Sequence, residues 1–210
     1  MSDQVELTNP VDLSVGGMSG HILRRAIHLA MSLLPFLFFE FGEDVADSVS
    51  LSLEQVVSSV ILIAIFGEAL RLRMGWTVVG QRSYEAKQVS ALAWGALGVG
   101  MVFLLTPEAA YAYPLILSLS LGDPLLGELR RKGVTTTTVI WAGMLGIAII
   151  WAACAVWVDT PWLLVPLMAP ICVAAEWPRL RYIDDNATML LIPLAAVSYT
   201  HLTLPTNGEV

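Results

Sequence analysis

Charged residues are scarce in this chain of 210 residues. They make up 14% of it, whereas soluble domains carry about 25%. Hydrophobic residues make up 56% and occur in runs of about 20, the length at which a helix crosses the hydrocarbon of a bilayer. Backbone N–H and C=O groups in that medium have to form their hydrogen bonds within their own segment, so the runs are expected to be helices. The composition predicts an all-α fold, a polytopic membrane bundle of about seven transmembrane helices.

Several motifs of soluble enzymes are also missing. The sequence has no G-x-x-x-x-G-K-[ST] phosphate loop, no G-x-S-x-G nucleophile motif and no H-E-x-x-H zinc motif. Its two cysteines, Cys154 and Cys172, lie inside apolar runs and are interpreted as small buried hydrophobic residues. A formal net charge of -7 argues against a nucleic-acid partner, because the phosphate backbone attracts basic proteins.

The basic residues indicate the topology, because they form four clusters spaced by about 45 residues, enough for two spans and a turn. The clusters are Arg24 and Arg25; Arg71, Arg73, Arg82 and Lys87; Arg130, Arg131 and Lys132; and Arg179 and Arg181. The turns between them carry acidic residues instead, namely Glu40, Glu43, Asp44 and Asp47, then Glu108, then Asp159. By the positive-inside rule, the basic clusters face the cytoplasm of a multi-pass cell-membrane protein.

The charge pattern divides the chain into three parts. Residues 1–20 are polar and acidic, lack the features of a signal peptide, and are expected to form a leader. Residues 21–196 form the membrane domain. Residues 197–206 read VSYTHLTLPT. The first part of a DNA encoding this string matches the end of a transposase-based sequencing adapter, so 197–210 is expected to be a non-native tail, with a genuine polar C-terminus as the alternative. The predicted spans are 22–41, 51–70, 88–106, 109–126, 135–157, 161–176 and 187 onward.

Acidic residues also lie on the basic side, within or at the ends of spans, and these are the candidate chemistry. A charge at the bilayer centre costs about 2.5–3.5 kcal/mol on insertion scales, so its presence is informative. Carboxylates beside arginine and lysine suit Mg²⁺ and a polyphosphate, since carboxylates bind the metal and cations neutralise phosphate. The residues are Glu68, Glu85, Asp123, Glu128, Glu176, Asp184 and Asp185.

Two of these acidic segments resemble helix starts. In Gly122-Asp123-Pro124, Asp is a good N-cap and Pro is favoured at the first helical position. The span is therefore expected to break there, with a short helix leading to the basic triplet 130–132. Asp184, Asp185 or Asn186 is similarly placed to cap the last helix. On the alternative reading, these residues only cap helices and the neighbouring cations only anchor the spans.

Two further patterns fall at helical spacing. His28 lies one turn after Arg24 and Arg25, so the three share a face, although a lone histidine there is more often a polar packing residue. Glu68 and Arg71 are also one turn apart, and a local ion pair is the favoured interpretation. The run Thr135–Thr138 is expected to begin the fifth span, with its side chains bonding back to carbonyls.

Taken together, these segments resemble the membrane-embedded CTP-dependent lipid-alcohol kinases, such as dolichol kinase and phytol kinase. Their superfamily includes the phosphatidate cytidylyltransferases. The similarity covers about residues 20–195. Its matching segments are Arg24-Arg25-Ala26-Ile27-His28, Glu68-Ala69-Leu70-Arg71, Glu85 with Lys87, Gly122-Asp123, and Glu176 with Asp185-Asn186 and Pro193. The chain departs from the family at Gly127-Glu128, at Ser90-Ala91, and at Thr135–Thr138, where the family has a Lys-Ser motif.

The resemblance implies phosphate transfer from CTP to the hydroxyl of a long-chain isoprenoid or related lipid alcohol. It implies Mg²⁺ held by Asp123 and Asp185 with Asn186 as a neighbouring ligand, and phosphates held by Arg130, Arg131 and Lys132. His28 or Glu176 would act as base or orient the hydroxyl. The rest of the expected site is Arg25, Glu68, Arg71 and Glu85. The expected partners are the lipid alcohol, CTP and membrane lipids, with the oligomeric state left open. The alternatives are cytidylyl transfer to a lipid phosphate, and a transporter or other non-catalytic membrane protein.

Overall fold

The computed structural model describes residues 14–178, 180 and 182–203, and over these residues the all-α prediction is confirmed. A short 3-10 helix, Ser83–Lys87, lies between the third and fourth α-helices, and extended pairing is limited to an isolated bridge between Ser14 and Arg82. The α-helices are α1 Gly17–Met31, α2 Leu34–Ser48, α3 Leu53–Met74, α4 Ala91–Leu105, α5 Ala109–Arg131, α6 Thr136–Trp157, α7 Leu164–Glu176 and α8 Asp185–Thr203.

Local sequence signals explain where several helices begin and end. The α3 helix starts in a capping box, in which Ser52 Oγ accepts from the Gln55 N–H at 3.3 Å and the Gln55 side chain accepts from the Ser52 N–H at 2.9 Å. It ends at Gly75, whose φ of 67° is left-handed and favours glycine. The threonine run begins α6 as predicted, but Thr135 Oγ1 accepts from the Thr138 N–H at 3.3 Å, whereas bonding to carbonyls was expected.

The lengths of the helices support a smaller number of spans than the sequence predicts. Within the described residues, α3 and α6 are long and apolar enough to cross a membrane, and α1 with α2 would count as a third span, bent by 54°. The apolar helices α4 and α7 are shorter. Large apolar side chains on α3 face outward, and Phe66 is 73% exposed. Two or three spans are therefore supported by length and composition.

The expected helix break at Gly122-Asp123-Pro124 is wrong. The α5 helix continues from Ala109 to Arg131 with Pro124 in its interior, so Asp123 is not an N-cap. Pro124 removes one backbone hydrogen bond, but packing on both sides holds the helix. A Cβ on Gly122 would lie 2.7 Å from Ile147 Cδ1, and Leu126 is fully buried. Tertiary contacts therefore outweigh the local preference of Pro for a helix start.

Other boundaries differ from expectation at the two ends of the chain. The span predicted over 22–41 is two helices, because the chain turns at Ser32 and Leu33. The predicted leader 1–20 overlaps α1 from residue 17, while residues 1–13 lie outside the described part. Arg179 and Arg181 also lie outside it. The α8 helix extends to Thr203, so its last turns run into the expected tail.

The core surrounds α5, which packs against α1, α2, α4, α6, α7 and α8. Leu115, Ile116 and Leu119 are fully buried. Trp151 Nε1 donates to Ser118 Oγ at 2.9 Å, which satisfies two polar groups inside the bundle. Cys154 and Cys172 are both buried and free, as the sequence predicts. This central position of α5 carries Asp123 and the basic triplet to one end of the molecule.

Candidate functional site

Three of the four basic clusters meet at one end of the bundle. Arg24 on α1 donates to the Glu85 carboxylate at 3.0 Å, joining the first cluster to the loop before α4. Arg25 donates to Asp123 on α5 at 3.2 Å. The end of α5 in turn contacts the end of α7, because Arg130 is paired with Glu176. This end is also where α8 begins, so the charged loops converge.

His28 and Arg25 share the face of α1 that points at Asp123. His28 Nδ1 lies 3.4 Å from Asp123 Oδ2, the same oxygen that accepts from Arg25. His28 is 4% exposed, so its imidazole is held inside the bundle rather than in solvent. Arg25 Nε also lies 3.8 Å from Glu128 Oε1. The helical spacing of the basic pair and the histidine therefore predicts a shared face correctly.

Gly127 makes room for the guanidinium of Arg25. A Cβ at this position would lie 3.2 Å from Arg25 Cζ and closer still to its Nη2. Asp123 and Gly127 are one turn apart on α5, so the same helix face supplies the carboxylate and the space for its cation. Gly127, where the chain departs from the family resemblance, is thus part of the site's geometry.

The start of α8 brings a second acidic group to His28. Asp185 interacts electrostatically with His28, as Asp123 does, and also with Arg24 and Arg82. Asp184 Oδ1 accepts from the Asn186 N–H at 3.1 Å, so Asp184 acts as the cap of this helix. Asp123 and Asp185 are 62 positions apart in the sequence (185 minus 123), yet both interact electrostatically with His28.

The two adjacent aspartates have shifted pKa values in opposite directions. Burial, and then the negative charge of Asp185, raise the pKa of Asp184 well above its usual range. Burial alone would also raise the pKa of Asp185. The hydrogen bond from Asp184 and the cations Arg82 and Arg24 outweigh that effect and lower it.

Glu85 fixes Arg24 and the start of α4 together. Its carboxylate is 1% exposed and accepts from Arg24 and from the Arg82 N–H, both at 3.0 Å, and from the Ala91 N–H at 3.2 Å. Arg82 also donates to the Tyr84 hydroxyl at 2.7 Å. Glu85 is fully engaged in holding these groups, which makes it a positioning residue.

Glu68 and Arg71 form more than the local pair expected. Their two hydrogen bonds measure 2.7 and 2.9 Å. Arg71 also donates to the carbonyl oxygens of Trp76 and Gln88 at 2.7 and 2.9 Å, and Glu68 accepts from the Ser90 N–H at 2.6 Å. This network ties the end of α3 to the loop carrying Arg82 and to the start of α4.

The basic triplet is divided among different surroundings. Arg130 is paired with Glu176, whose side chain is fully buried, and its guanidinium lies 5.8 Å from the centre of the Trp177 ring. Arg131 pairs with Glu128 at 2.7 Å. Lys132 is exposed at the end of α5. All three members of the triplet are exposed, and Arg130 differs in that its guanidinium is paired with a buried carboxylate.

The structure adds residues that sequence reasoning did not assign to the site. Arg24 was visible only as the neighbour of Arg25, and His21 lies 3.5 Å from Glu128 on the same face. Helical spacing was the available signal for both. Arg82 directly precedes the short 3-10 helix that contains Tyr84, and the course of this segment depends on the Arg71 network, which no local pattern indicates.

The expected Mg²⁺ ligands do not form a ready-made cage. Within the described ranges, no three His, Cys, Asp or Glu side chains are grouped so as to hold a metal ion. Asn186 is 2% exposed, its Nδ2 donates to the Ala91 carbonyl at 3.0 Å, and its buried Oδ1 has no hydrogen-bond partner among the described residues. Two carboxylates and an amide oxygen are hard donors that fit Mg²⁺, which uses one or two carboxylates together with substrate phosphates.

Comparison of the chain with protein-family models, with curated proteins and with solved structures finds no match.

Proposed function

We propose that this chain is a membrane-embedded transferase that moves phosphate from CTP to the hydroxyl of a long-chain isoprenoid or related lipid alcohol. The observation that carries the proposal is the contact of His28 and Arg25 with Asp123 inside the bundle, beside the pair of Arg24 and Glu85. Carboxylates and cations at one end of an apolar bundle suit a reaction between a nucleotide in water and a lipid whose tail stays in the bilayer.

The proposed membrane arrangement has seven crossings, with α1 and α2 as one bent span followed by α3 to α8. The outward apolar side chains of α3 and α6, such as Phe66 and Trp141, support contact with lipid. The α4 and α7 helices have 15 and 13 residues, and helices shorter than the hydrocarbon are accommodated by local thinning of the bilayer. The positive-inside rule assigns the end with the arginines to the cytoplasm.

The proposed reaction forms a bond between the lipid hydroxyl oxygen and the γ-phosphorus of CTP. The bond from that phosphorus to the β–γ bridging oxygen breaks, CDP leaves, and the hydroxyl proton passes to a base. His28 is the candidate base, because Asp123 lies within 3.4 Å of its Nδ1 and can orient the ring. Arg24, Arg25 and Arg82 would stabilise the charge that develops on the phosphate oxygens.

Mg²⁺ fits this scheme as the partner of the nucleotide. Asp123 and Asp185 would hold it, with Asn186 as the neighbouring oxygen donor. When bound, the ion neutralises charge on the phosphates. Arg131 and Lys132, at the surface beyond Asp123, are suited to bind phosphate or to guide the nucleotide to the site. Arg130 is paired with Glu176, which favours an orienting role for Glu176 over a role as base.

Two alternatives remain distinct from this proposal. Cytidylyl transfer to a lipid phosphate would use the same nucleotide and the same kinds of side chain, but would release pyrophosphate. A transporter would need ionisable groups lining a path near the bilayer midplane. The charged network described above lies at one end of the bundle, which favours chemistry at a membrane face.

Labelled CTP separates these possibilities in one assay. Purified protein in lipid nanodiscs is incubated with Mg²⁺, a panel of lipid alcohols and lipid phosphates, and CTP labelled at either the γ- or the α-phosphorus. Transfer of the γ label to an alcohol supports the kinase. Transfer of the α label to a lipid phosphate indicates the cytidylyltransferase. Absence of both, with ATP tested as an alternative donor, refutes catalysis of either kind.

A further inference from the structure

The apolar loop, residues 75–80, connects α3 to the segment that carries Arg82. It reads GWTVVG, and the side chains of Trp76, Val78 and Val79 are each at least half exposed. Loops usually carry polar side chains where they meet water. Exposed apolar side chains that lie next to one another mark a contact surface.

Hydrogen bonds at both ends of the apolar loop fix its backbone. At its start, the Trp76 carbonyl accepts from the Arg71 guanidinium at 2.7 Å, and the Trp76 N–H donates to the Arg71 carbonyl at 3.1 Å. At its end, the Gly80 N–H donates to the Val15 carbonyl at 2.9 Å. The backbone is thus bound to the protein, which leaves the apolar side chains at the surface.

Two exposed cations border the apolar loop. Arg71 donates to the Gln88 carbonyl at 2.9 Å with the same guanidinium that bonds Trp76, so Lys87, the neighbour of Gln88, is held beside the loop. Arg73 lies in the last turn of α3, directly before it. Lys87 and Arg73 are both exposed. This positive border stands against the formal net charge of -7 of the whole chain.

The level of the loop in the membrane follows from α3. This helix is long and apolar enough to cross a membrane, and its side chains Ile63 and Phe66 are largely exposed. The apolar loop begins directly after Met74, the last residue of α3, so a span formed by α3 places the loop among the lipid headgroups. Tryptophan is enriched at that level, and cations there attract anionic headgroups.

The cations distinguish the apolar loop from the outward faces of the helices and from a turn at the other end of the bundle. The outward faces of α3 and α6 belong to helices long enough to span, so contact with acyl chains accounts for them. The turn between α6 and α7 exposes Trp162 by 61%, as much as Trp76. Residues 158–163 contain Asp159 and no lysine or arginine, so an anionic headgroup is repelled there.

We propose that the apolar loop, together with Arg73 and Lys87, is a binding surface for anionic phospholipids in the leaflet on the side of the basic clusters. Trp76, Val78 and Val79 contact the upper part of the acyl chains, and the two cations bind headgroup phosphates. The surface is separate from the proposed transferase site and does not depend on that activity.

Quenching by spin-labelled lipids tests the inference. The full chain, with Cys154 and Cys172 replaced, carries a fluorophore on Thr77→Cys in the loop or on Leu163→Cys in the turn between α6 and α7. The protein is placed in phosphatidylcholine nanodiscs that contain spin-labelled phosphatidylglycerol or phosphatidylcholine, with the same nitroxide close to the headgroup. We expect the anionic lipid to quench the loop fluorophore several-fold more than the zwitterionic lipid. At Leu163 the anionic lipid should quench no better than the zwitterionic one.

Charge substitutions provide the matched control. Replacing Arg73 and Lys87 together with glutamine should abolish the preference for the anionic lipid, whereas replacing Arg131 and Lys132, an equal loss of exposed charge, should keep it. In the protein without these charge substitutions, added salt should weaken the preference through screening, a measurement that does not depend on the folding of the charge variants.

The opposite results are equally clear. Equal quenching of the loop fluorophore by the two lipids overturns the proposal, and so does a preference that survives loss of Arg73 and Lys87. Quenching at Leu163 but by neither lipid at Thr77 would show that water, a second copy or another protein covers the loop, and would also overturn it.

Discussion

Replacing Gly127 with alanine should break the contact between Arg25 and Asp123. The added Cβ would lie 3.2 Å from Arg25 Cζ and nearer to Nη2, so the guanidinium has to move away from α5. The end of an arginine side chain moves at little steric cost. The movement nevertheless lengthens a hydrogen bond that already measures 3.2 Å, and Asp123 loses its guanidinium partner.

The size of the effect follows from two opposing contributions. Loss of a hydrogen bond between charged groups costs about 1.5–3 kcal/mol, and both side chains of this pair are less than a quarter exposed. Replacement of glycine by alanine inside a helix contributes about 0.5–1 kcal/mol of stability. The free energy of unfolding should therefore fall by about 0.5–2.5 kcal/mol, from these two values.

Gly67→Ala is the matched control, because Gly67 is inside α3 and no atom lies within 4 Å of an added Cβ. It should raise the midpoint of thermal unfolding in detergent, whereas Gly127→Ala should lower it and reduce phosphate transfer. If the two variants gain stability equally and Gly127→Ala keeps full transfer activity, the assigned role of Gly127 is wrong.

Three further changes test the site, the loop network and the topology. Asp123→Asn should leave folding largely intact, since the amide oxygen can still accept from Arg25. It should reduce transfer of the γ-phosphate of CTP by orders of magnitude, because a charged group at the proposed metal and at His28 is lost. Wild-type transfer rates would contradict the site. Arg71→Lys should destabilise the protein by about 1.5–3 kcal/mol for each charge-assisted hydrogen bond lost, since an ammonium lacks the planar fork of N–H donors of the guanidinium. Arg73 is exposed, so Arg73→Lys is the control and should have no effect on the unfolding midpoint. The topology is tested with single cysteines in a protein whose Cys154 and Cys172 have been replaced. Cysteines at Arg82 and Lys132 should react only with a reagent on the cytoplasmic side, and cysteines at Asp44 and Asp159 only with a reagent on the outside. Mixed reactivity within either pair would refute the hairpin arrangement.

Features set by short-range spacing were predictable from the sequence. Thr135 caps α6, the cysteines are buried, and His28 shares a face with Arg25, because each of these depends on helical periodicity or on composition. The positions of the helices followed from the apolar runs and the charged clusters between them. These local regularities were enough to identify the end of the bundle at which the charged side chains meet.

Features set by tertiary packing were not predictable in the same way. The stretch around Pro124 has the local signature of a helix start, but its neighbours on α6 and α1 keep α5 continuous. The bend between α1 and α2 has a local signal in Pro35, the second residue of α2, but the direction in which it turns the basic face depends on tertiary packing. The pairing of Arg130 with Glu176 depends on the approach of α5 to α7, which no pattern within either helix specifies.

The long sequence separation of the partners of α1 has a consequence for biosynthesis. Arg24 and Arg25 find their carboxylates 61 and 98 residues later in the chain, so neither carboxylate has been synthesised when α1 leaves the ribosome. At about 5–20 residues per second, Asp123 follows Arg25 by about 5–20 s. We infer that α1 waits at the cytoplasmic surface during that interval and docks only after α5 has been made. Nascent chains stalled before Asp123 should therefore expose a cysteine at His28 to water-soluble reagents, and chains stalled well after α5 should protect it. Equal protection in both would show that α1 docks without its acidic partner.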